Sequence, residues 1–562
     1  DCVKAGSTGI FAGGSLCGKD LMHALADGIN IAACADGFAK TGNLDYPAVP
    51  AASKCVANED KLVRTPAVVS GDANYNEDEC VAEAERCIRC QCDACEAYCD
   101  LIDYYEKWPV KMRDEIFLSV KPAGSLVHKC PSRKYIAACT ECQIINDVCP
   151  ENIDLCGMIK SARHQMHAVD KMPAAYRQYY LRDMEFANGE YAAVVKAAPA
   201  GGAHYAFFPG CNLGALDPDY VIKPYKWLCD NYPGTGLLLK CCSVPVDWAG
   251  NGEAHEAALA QLKADWESLG RPVLITACMS CDKHLHEYLP EIETATIYEL
   301  MSQRADSFSV RNSAGTDVSG RSYTIFDPCS ARGNENVQTA IRRLASDAGI
   351  NADELSKGDM HGCCGFGGQG AIAQPKFAQY IADKRIAAAK HPYLVYCSNC
   401  RDVFTSNGMP AIHIFDLLFD VNADNANPSP GITERRVNRV ILKDRLLKEF
   451  WGEEMNAKPD ELKYKLTMNE EVAAKVEKLH ILADDIVNVI EHAERTGRRT
   501  RNTENGHYRA YNEIGAITLW VEYSVPGGND SGGDAVREIH NVYSHRMQIK
   551  LEAVFNGRKI DG

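Results

Sequence analysis

Two stretches of this chain set out the same five cysteines in the same order: one alone, then an adjacent pair, then C-x2-C. In the first copy these are Cys211, Cys241-Cys242, and Cys278 with Cys281; in the second they are Cys329, Cys363-Cys364, and Cys397 with Cys400. The copies lie about 120 residues apart, and a repeat of that kind is itself evidence for two like modules. The thiols follow apolar runs that read as strands (AFFPGC, LLLKCC, VLITAC, TIFDPC, YLVYC), with helical stretches such as 253–269 and 375–390 between them. Strand–helix alternation predicts a small parallel α/β fold with its ligands collected at one edge of the sheet. A zinc ion or a cubane iron–sulfur cluster takes four protein ligands, so a fifth would stand idle twice at the same place. Adjacent residues chelate one small ion only with strain, yet they can reach different irons of an opened cluster. In HGCCGFGG, residues 361–368, Gly365, Gly367 and Gly368 would let the backbone approach the sulfides and aim N–H groups at them. An ordinary cubane in each copy is the alternative.

The chain carries 26 cysteines in all. Its start shows no basic n-region followed by an apolar h-region, so the clusters read as metal ligands in a reducing cytoplasm in preference to disulfides. A formal charge of −16 argues against nucleic acid or an anionic membrane surface as partner. No apolar run reaches the about 18 residues that a transmembrane segment needs. With 562 residues the chain should hold several domains, because one core rarely serves more than about 250–300. Residue 1 is Asp and the first methionine is Met22, so the chain is expected to continue upstream.

A different cysteine grouping precedes the repeat. Cys87, Cys90, Cys95 and Cys99 have the spacing C-x2-C-x4-C-x3-C, with Cys92 as a fifth. A loop of this kind curls three thiolates around one cubane, while the last cysteine commonly reaches a second cluster. Cys130, Cys139, Cys142 and Cys149, the last followed by Pro150, form a second group. Zinc is the alternative here, although it gives no reason for two groups. The C-P ending and reciprocal spacing resemble a two-cluster ferredoxin module, and the first motif is similar to the cluster loop of glutamate synthase small subunits. That resemblance implies two [4Fe–4S] cubanes. Ile145 stands where a bacterial ferredoxin places its third cysteine, and Cys130 is the expected substitute. Cys92, Cys2, Cys17, Cys34, Cys55, Cys80, Cys156 and Cys229 are expected to be small buried apolar residues.

The opening STGIFAGGSLCGKDLMHALADGINIAA reads as a short strand from Gly9 to Ala12, a glycine turn and a helix from about Lys19 to Ala33. A glycine turn that opens a helix offers free N–H groups to a pyrophosphate, and it is equally a plain strand-to-helix turn. Phe11, Ala12, Gly13, Gly14, Ala26, Asp27 and Gly28 resemble the last flavin-contacting segment of glutamate-synthase-type flavoproteins. The resemblance implies FAD contacts at Gly13, Gly14 and Ser15, with most of the flavin site outside this segment. Ser15 replaces that family's acidic residue.

Residues 205–420, with single Cys, Cys-Cys and C-x2-C in both copies, resemble the CCG-domain family of heterodisulfide reductase catalytic subunits and of electron-transfer subunits in anaerobic oxidoreductases. The first copy reads CCS, with Ser243 in place of glycine. The resemblance implies two noncubane [4Fe–4S] clusters, on Cys211, Cys241, Cys242, Cys278 and Cys281 and on Cys329, Cys363, Cys364, Cys397 and Cys400, with disulfide reduction between them.

The expected fold class is multidomain α/β and α+β. A remnant of a dinucleotide-binding fold covers 1–45, a linker 46–79, a mostly helical dicluster ferredoxin 80–200, tandem α/β CCG domains 201–310 and 320–422, and an α+β domain of unassigned role 430–562. A helical bridge is expected over 153–198. The last domain should hold helices at 432–453 and 468–497 before strands in AITLWVEYSV and HNVYSHRMQI. His507, His540, His545 and Arg546 read as structural residues there. The modules in order form a wire from a flavin through cubanes to a paired noncubane site, which implies an oxidoreductase subunit that reduces a disulfide or similar two-electron acceptor. Its partners would be flavin- or NAD(P)H-linked subunits of a larger anaerobic complex. A non-catalytic electron-transfer adaptor is the alternative, and a zinc-stapled scaffold is a third reading.

Overall fold

The computed structural model describes residues 3–5, 10–18, 21–42, 68, 75–85, 94–120, 132–149, 153–199, 201–304, 320–356, 360–421, 429–526 and 535–545. These fall into two units, one drawn from 1–97 and 147–153 and the other from 98–146 and 154–562. Among the described residues no helix is long and apolar enough to cross a membrane.

In the smaller unit, strand Val3–Ala5 pairs antiparallel with Ile10–Ala12. A 3-10 turn, Gly14–Cys17, follows, and then a helix, Leu21–Thr41, longer than the expected 19–33. A second helix, Glu77–Glu85, begins with three acidic residues at its positive end; Asn76 and Glu79 cap it reciprocally at 2.9 Å each.

The larger unit is built around two sheets. In the first, strands Thr235–Leu239, Tyr205–Phe208, Val273–Thr276 and Thr294–Thr296 lie side by side in that order, all parallel. In the second, Asn351–Asp353, Ser322–Phe326, Tyr393–Val395 and Ala411–His413 repeat the order, again parallel. Each sheet therefore places its second strand beside its first and its third on the other side. Helix Gly252–Ser268, after the second strand of the first copy, and helix Glu335–Asp347, after the first strand of the second, are each started by an asparagine, Asn251 and Asn334, whose side chains accept from Ala254 and Val337 N–H at 3.1 and 3.2 Å. The bridge over 153–198 is not helical to its end: after helices Leu155–Ala168 and Gln178–Asn188, strand Val194–Lys196 joins the first sheet antiparallel to Thr235–Leu239. An edge strand borrowed from the preceding segment extends the first copy beyond its expected start at 201.

Alternation along the strands sorts their side chains onto two faces. Phe207, Leu237 and Ile275 from the first sheet and Tyr323, Ile325, Leu394 and Ile412 from the second share one core. Ala206, Phe208, Leu238 and Leu274 turn the other way, onto Leu259, Leu262 and Trp266 of helix Gly252–Ser268. The shared core also takes Leu442, Leu446 and Leu447. Helix Ile432–Leu446, with the π-turn Leu447–Trp451 after it, thus packs with the tandem repeat, and the expected 430–562 domain divides there. The second expected helix, 468–497, is three elements: strand Lys465–Met468 and helices Glu470–Leu479 and Ala483–Thr496, interrupted at His480 with its φ of 55°. Buried Ile481 and Leu482 cause the break, because continuing the helix would carry them off its apolar face. The two helices cover a mixed sheet of Lys465–Met468, Val536–His545, Ile517–Ser524, Tyr508–Ile514 and Arg499–Arg501.

Candidate metal centres

Parallel strands end on the same edge, so the thiols that follow them converge. Cys211 comes after Tyr205–Phe208 through Gly210, whose φ is 76° and where a Cβ would stand 3.0 Å from the Cys281 sulfur. Cys241 and Cys242 follow Thr235–Leu239. Cys278 immediately precedes helix Met279–Tyr288 after Val273–Thr276, with Cys281 in its first turn. The second copy reproduces this: Cys329 after Ser322–Phe326, and Cys397 immediately before helix Ser398–Ser406 after Tyr393–Val395, with Cys400 in the first turn. A helix N-terminus thus stands behind each C-x2-C.

The five thiols of each copy interact as a string. In the first, Cys211 meets Cys241, Cys241 meets Cys242, Cys242 meets Cys281, and Cys281 meets Cys278. In the second, Cys329 donates to Cys363 across 3.7 Å, and the string continues through Cys364 and Cys400 to Cys397. The equivalent positions follow in the same order. Hydrogen bonding with Cys241, then with Cys281, pulls the Cys242 thiol down to about 6. Hydrogen bonding with Cys329 and then Cys364 holds Cys363 well below the usual thiol range, and the Gly365 N–H, 3.3 Å from the Cys363 sulfur, adds to this. Among the described residues no three His, Cys, Asp or Glu side chains gather as a single metal ion requires. Ser243 and Gly365, each next after its pair, both take positive φ, 72° and 106°. The first copy thus keeps the backbone turn despite its serine.

The two thiol-bearing edges face each other. Asn212, next to Cys211, hydrogen-bonds Asn399, inside the second C-x2-C. Reciprocally, Ser280, inside the first C-x2-C, reaches Ser330, next to Cys329, at 3.4 Å. A cavity of about 710 Å³ opens between them, lined by all five thiols of the first copy and by Cys364, with Tyr179, Tyr180 and Arg435. A second, of about 210 Å³, touches all five thiols of the second copy together with Cys156, Lys160 and His284. Helix Gln178–Asn188 braces the first edge: Asn188 accepts the Cys241 N–H at 2.8 Å, and Asp183 forms a bidentate pair with Arg439, whose Nε donates to the Cys211 carbonyl. The same helix holds the C-terminal sheet domain through Arg182 and Asp485, at 2.7 and 3.0 Å.

The Gly365 and Gly367 N–H groups bond the Cys363 sulfur, as expected of this loop, and its glycines have a second job besides. A Cβ on Gly367 or Gly368 would run into the carbonyls of Thr140 and Cys139, and one on Gly370 would stand 2.9 Å from that of Ala138. The loop presses backbone to backbone on residues 138–140. Arg177 clamps the contact, donating to the Gln369 and Ala137 carbonyls at 2.7 Å each, and Arg332 donates to the Cys142 carbonyl at 2.7 Å. Cys142 accordingly packs against the core that holds Cys363, Cys364, Cys397 and Cys400.

On that side lies a third group of thiols. Cys99, Cys139, Cys142 and Cys156 line one small cavity of about 20 Å³ with Ile144, Ile145 and Phe377. Burial pushes Cys99 well up, and burial and then the charge on Cys363 push Cys142 up to about 11. Ile145 supplies apolar wall where a third cysteine was missing. Cys156 is not the isolated apolar filler that its sequence position implied; it interacts with Cys139. The only sequence signal was its place two residues after Asp154, a good helix cap. Cys95 and Cys149 belong to the smaller unit, where Cys149 accepts the Ile153 N–H at 3.4 Å. Cys87, Cys90, Cys92 and Cys130 lie outside the described residues, as does Arg546.

The N-terminal glycines do not fit a flavin. The Gly14 N–H already donates to the Asp27 carboxylate at 2.8 Å, and a Cβ on Gly13 would stand 2.5 Å from the same carboxylate. The 3-10 turn that begins at Gly14 and includes Ser15 separates the strand from the helix. These glycines make room for the helix that follows them. His507 and His540 stack at 3.6 Å on the C-terminal sheet, with Glu522 and Ser524 as partners.

Residues 323–404 match the CCG family, described as a cysteine-rich domain, and the match contains the complete second string from Cys329 to Cys400. That domain is typical of iron–sulfur oxidoreductase proteins such as heterodisulfide reductase. No curated protein matches the chain, and no solved structure does.

Proposed function

We propose that this chain is an iron–sulfur oxidoreductase subunit of the cytoplasm that delivers electrons to two facing five-thiol sites, where a disulfide or similar two-electron acceptor is reduced. The observation that carries the reading is the cavity of about 710 Å³ reached by thiols of both copies, a volume within the range of small-molecule sites. Clusters on the two strings would take part of that volume, and an acceptor would enter beside Tyr179, Tyr180 and Arg435. Each string runs pair by pair instead of gathering on one point, which suits a multi-iron group in which several irons take thiolates of their own. Noncubane [4Fe–4S] clusters, when bound, would supply one-electron storage and irons with affinity for sulfur. The chain itself provides ten thiols, N-terminal helix ends behind Cys278 and Cys397, and burial that keeps water off the sites. Reduction of a disulfide takes two electrons and two protons to give two thiols, so two one-electron sites facing one cavity match the stoichiometry.

The electrons would come to the second copy first, because its glycine loop adjoins Cys139 and Cys142 directly. They would be supplied by another redox subunit of a larger complex. Anaerobic iron and sulfide analysis tests the reading: four [4Fe–4S] clusters require about 16 irons per chain. A disulfide added to the dithionite-reduced protein should be consumed as the cluster spectra return to the oxidised form. Zinc with little iron, or reduced clusters indifferent to every disulfide, would sink it.

A further inference from the structure

We infer that Cys156, with Cys99, Cys139 and Cys142, holds the cubane cluster next to the second CCG copy, in place of Cys130. The inference rests on the iron–sulfur reading above and assigns one of its sites. A cubane has four irons, and each takes one protein ligand. Cys139 and Cys142 supply two, and Cys99, at the head of helix Asp100–Tyr105, reaches across from the other motif as a third.

The fourth is set by helix Leu155–Ala168. Asp154 caps this helix by accepting the Gly157 N–H at 2.8 Å, which places Cys156 in the first turn at the positive end of the dipole. Two turns on, on the same face, fully buried Arg163 donates to the carbonyls of Ile136 and Cys139, at 2.7 and 3.0 Å through Nη2. One helix therefore carries both the thiol that meets Cys139 and the guanidinium that fixes the Cys139 backbone. Leu101, Ile144, Ile145, Leu155, Ile159 and Phe377 make most of the remaining wall, with Asp100 and Thr140 completing it. The same backbone, through Cys139 and Thr140, bears on Gly367 and Gly368, so this quartet is the one placed to pass electrons to the second string.

The test uses the full chain prepared anaerobically. Cys156→Ala should lower iron from about 16 to about 12 per chain and remove one cubane signal from the reduced EPR spectrum, while Cys130→Ala should retain about 16. Should the alanine variant fail to fold, Cys156→Ser decides: a retained cluster with shifted EPR features supports ligation, and an unchanged spectrum overturns it. Full iron in Cys156→Ala, with about four irons lost from Cys130→Ala, also overturns the assignment while leaving the proposed function standing. A wild-type protein without iron would instead fail the function first.

Discussion

Gly368→Ala should cost this protein more than its chemistry implies. Gly368 has a φ of 61°, and a Cβ there would overlap the Cys139 carbonyl oxygen and stand 3.2 Å from the carbonyl carbon. The left-handed backbone alone costs an alanine about 1–2 kcal/mol. The overlap is with backbone clamped by Arg177 and cannot be relieved by a rotamer change, so overpacking adds about 1–3 kcal/mol. Gly408 is the natural control: its φ is 80°, and nothing lies within 4 Å of its would-be Cβ. The lower unfolded-state entropy of alanine is common to both variants and cancels in the difference. Urea unfolding of the two, matched for iron content, should therefore separate them by about 1–3 kcal/mol. Amide exchange should also accelerate at residues 138–142 in Gly368→Ala alone. Equal losses in the two variants would mean that the loop does not bear on Cys139, and the proposed order of electron flow would lose its support.

Cys242→Ser breaks the first string at its most acidic thiol, and should remove about four irons while sparing the second copy, as read by iron content and EPR. Arg439→Met takes the bidentate partner from Asp183 beneath Cys211 and leaves it Arg436 at 3.8 Å; a loss of about 1.5–3 kcal/mol is expected in denaturant unfolding, partly restored by adding Asp183→Asn. Burial, and then Arg401, lower the His413 pKa to about 3. Because the folded state resists protonation and the unfolded state does not, stability present above about 6.5 should fall as pH drops toward about 3, and His413→Gln should flatten that dependence.

The five-cysteine repeat was legible because it is local. In a parallel α/β unit each strand delivers its last residues to one edge, so a cysteine at the end of successive strands meets the others whatever the loops between them do. Hence both strings, and their occurrence at equivalent places, follow from spacing. The helices at 253–269 and 375–390 were visible for the same reason. Strand Val194–Lys196 was not, since a three-residue edge element takes its conformation from the strand it pairs with. Nor was the break at His480 visible, which buried Ile481 and Leu482 impose on an otherwise helical run. At the N-terminus the turn looked open because glycine adjacency does not reveal that Asp27, on the following helix, already occupies the Gly14 N–H.

What the sequence alone determined, then, is the chemistry available: ten thiols in two equivalent sets, and a further group with ferredoxin-like spacing. Which thiols meet was left to the tertiary structure. Cys156 joins Cys99, Cys139 and Cys142 because a helix and its buried Arg163 bring it there, and the glycines of HGCCGFGG face residues 138–140 because Arg177 clamps a carbonyl 192 residues away in sequence. Contacts over such separations depend on how whole elements pack, and no spacing within a sequence window carries that information.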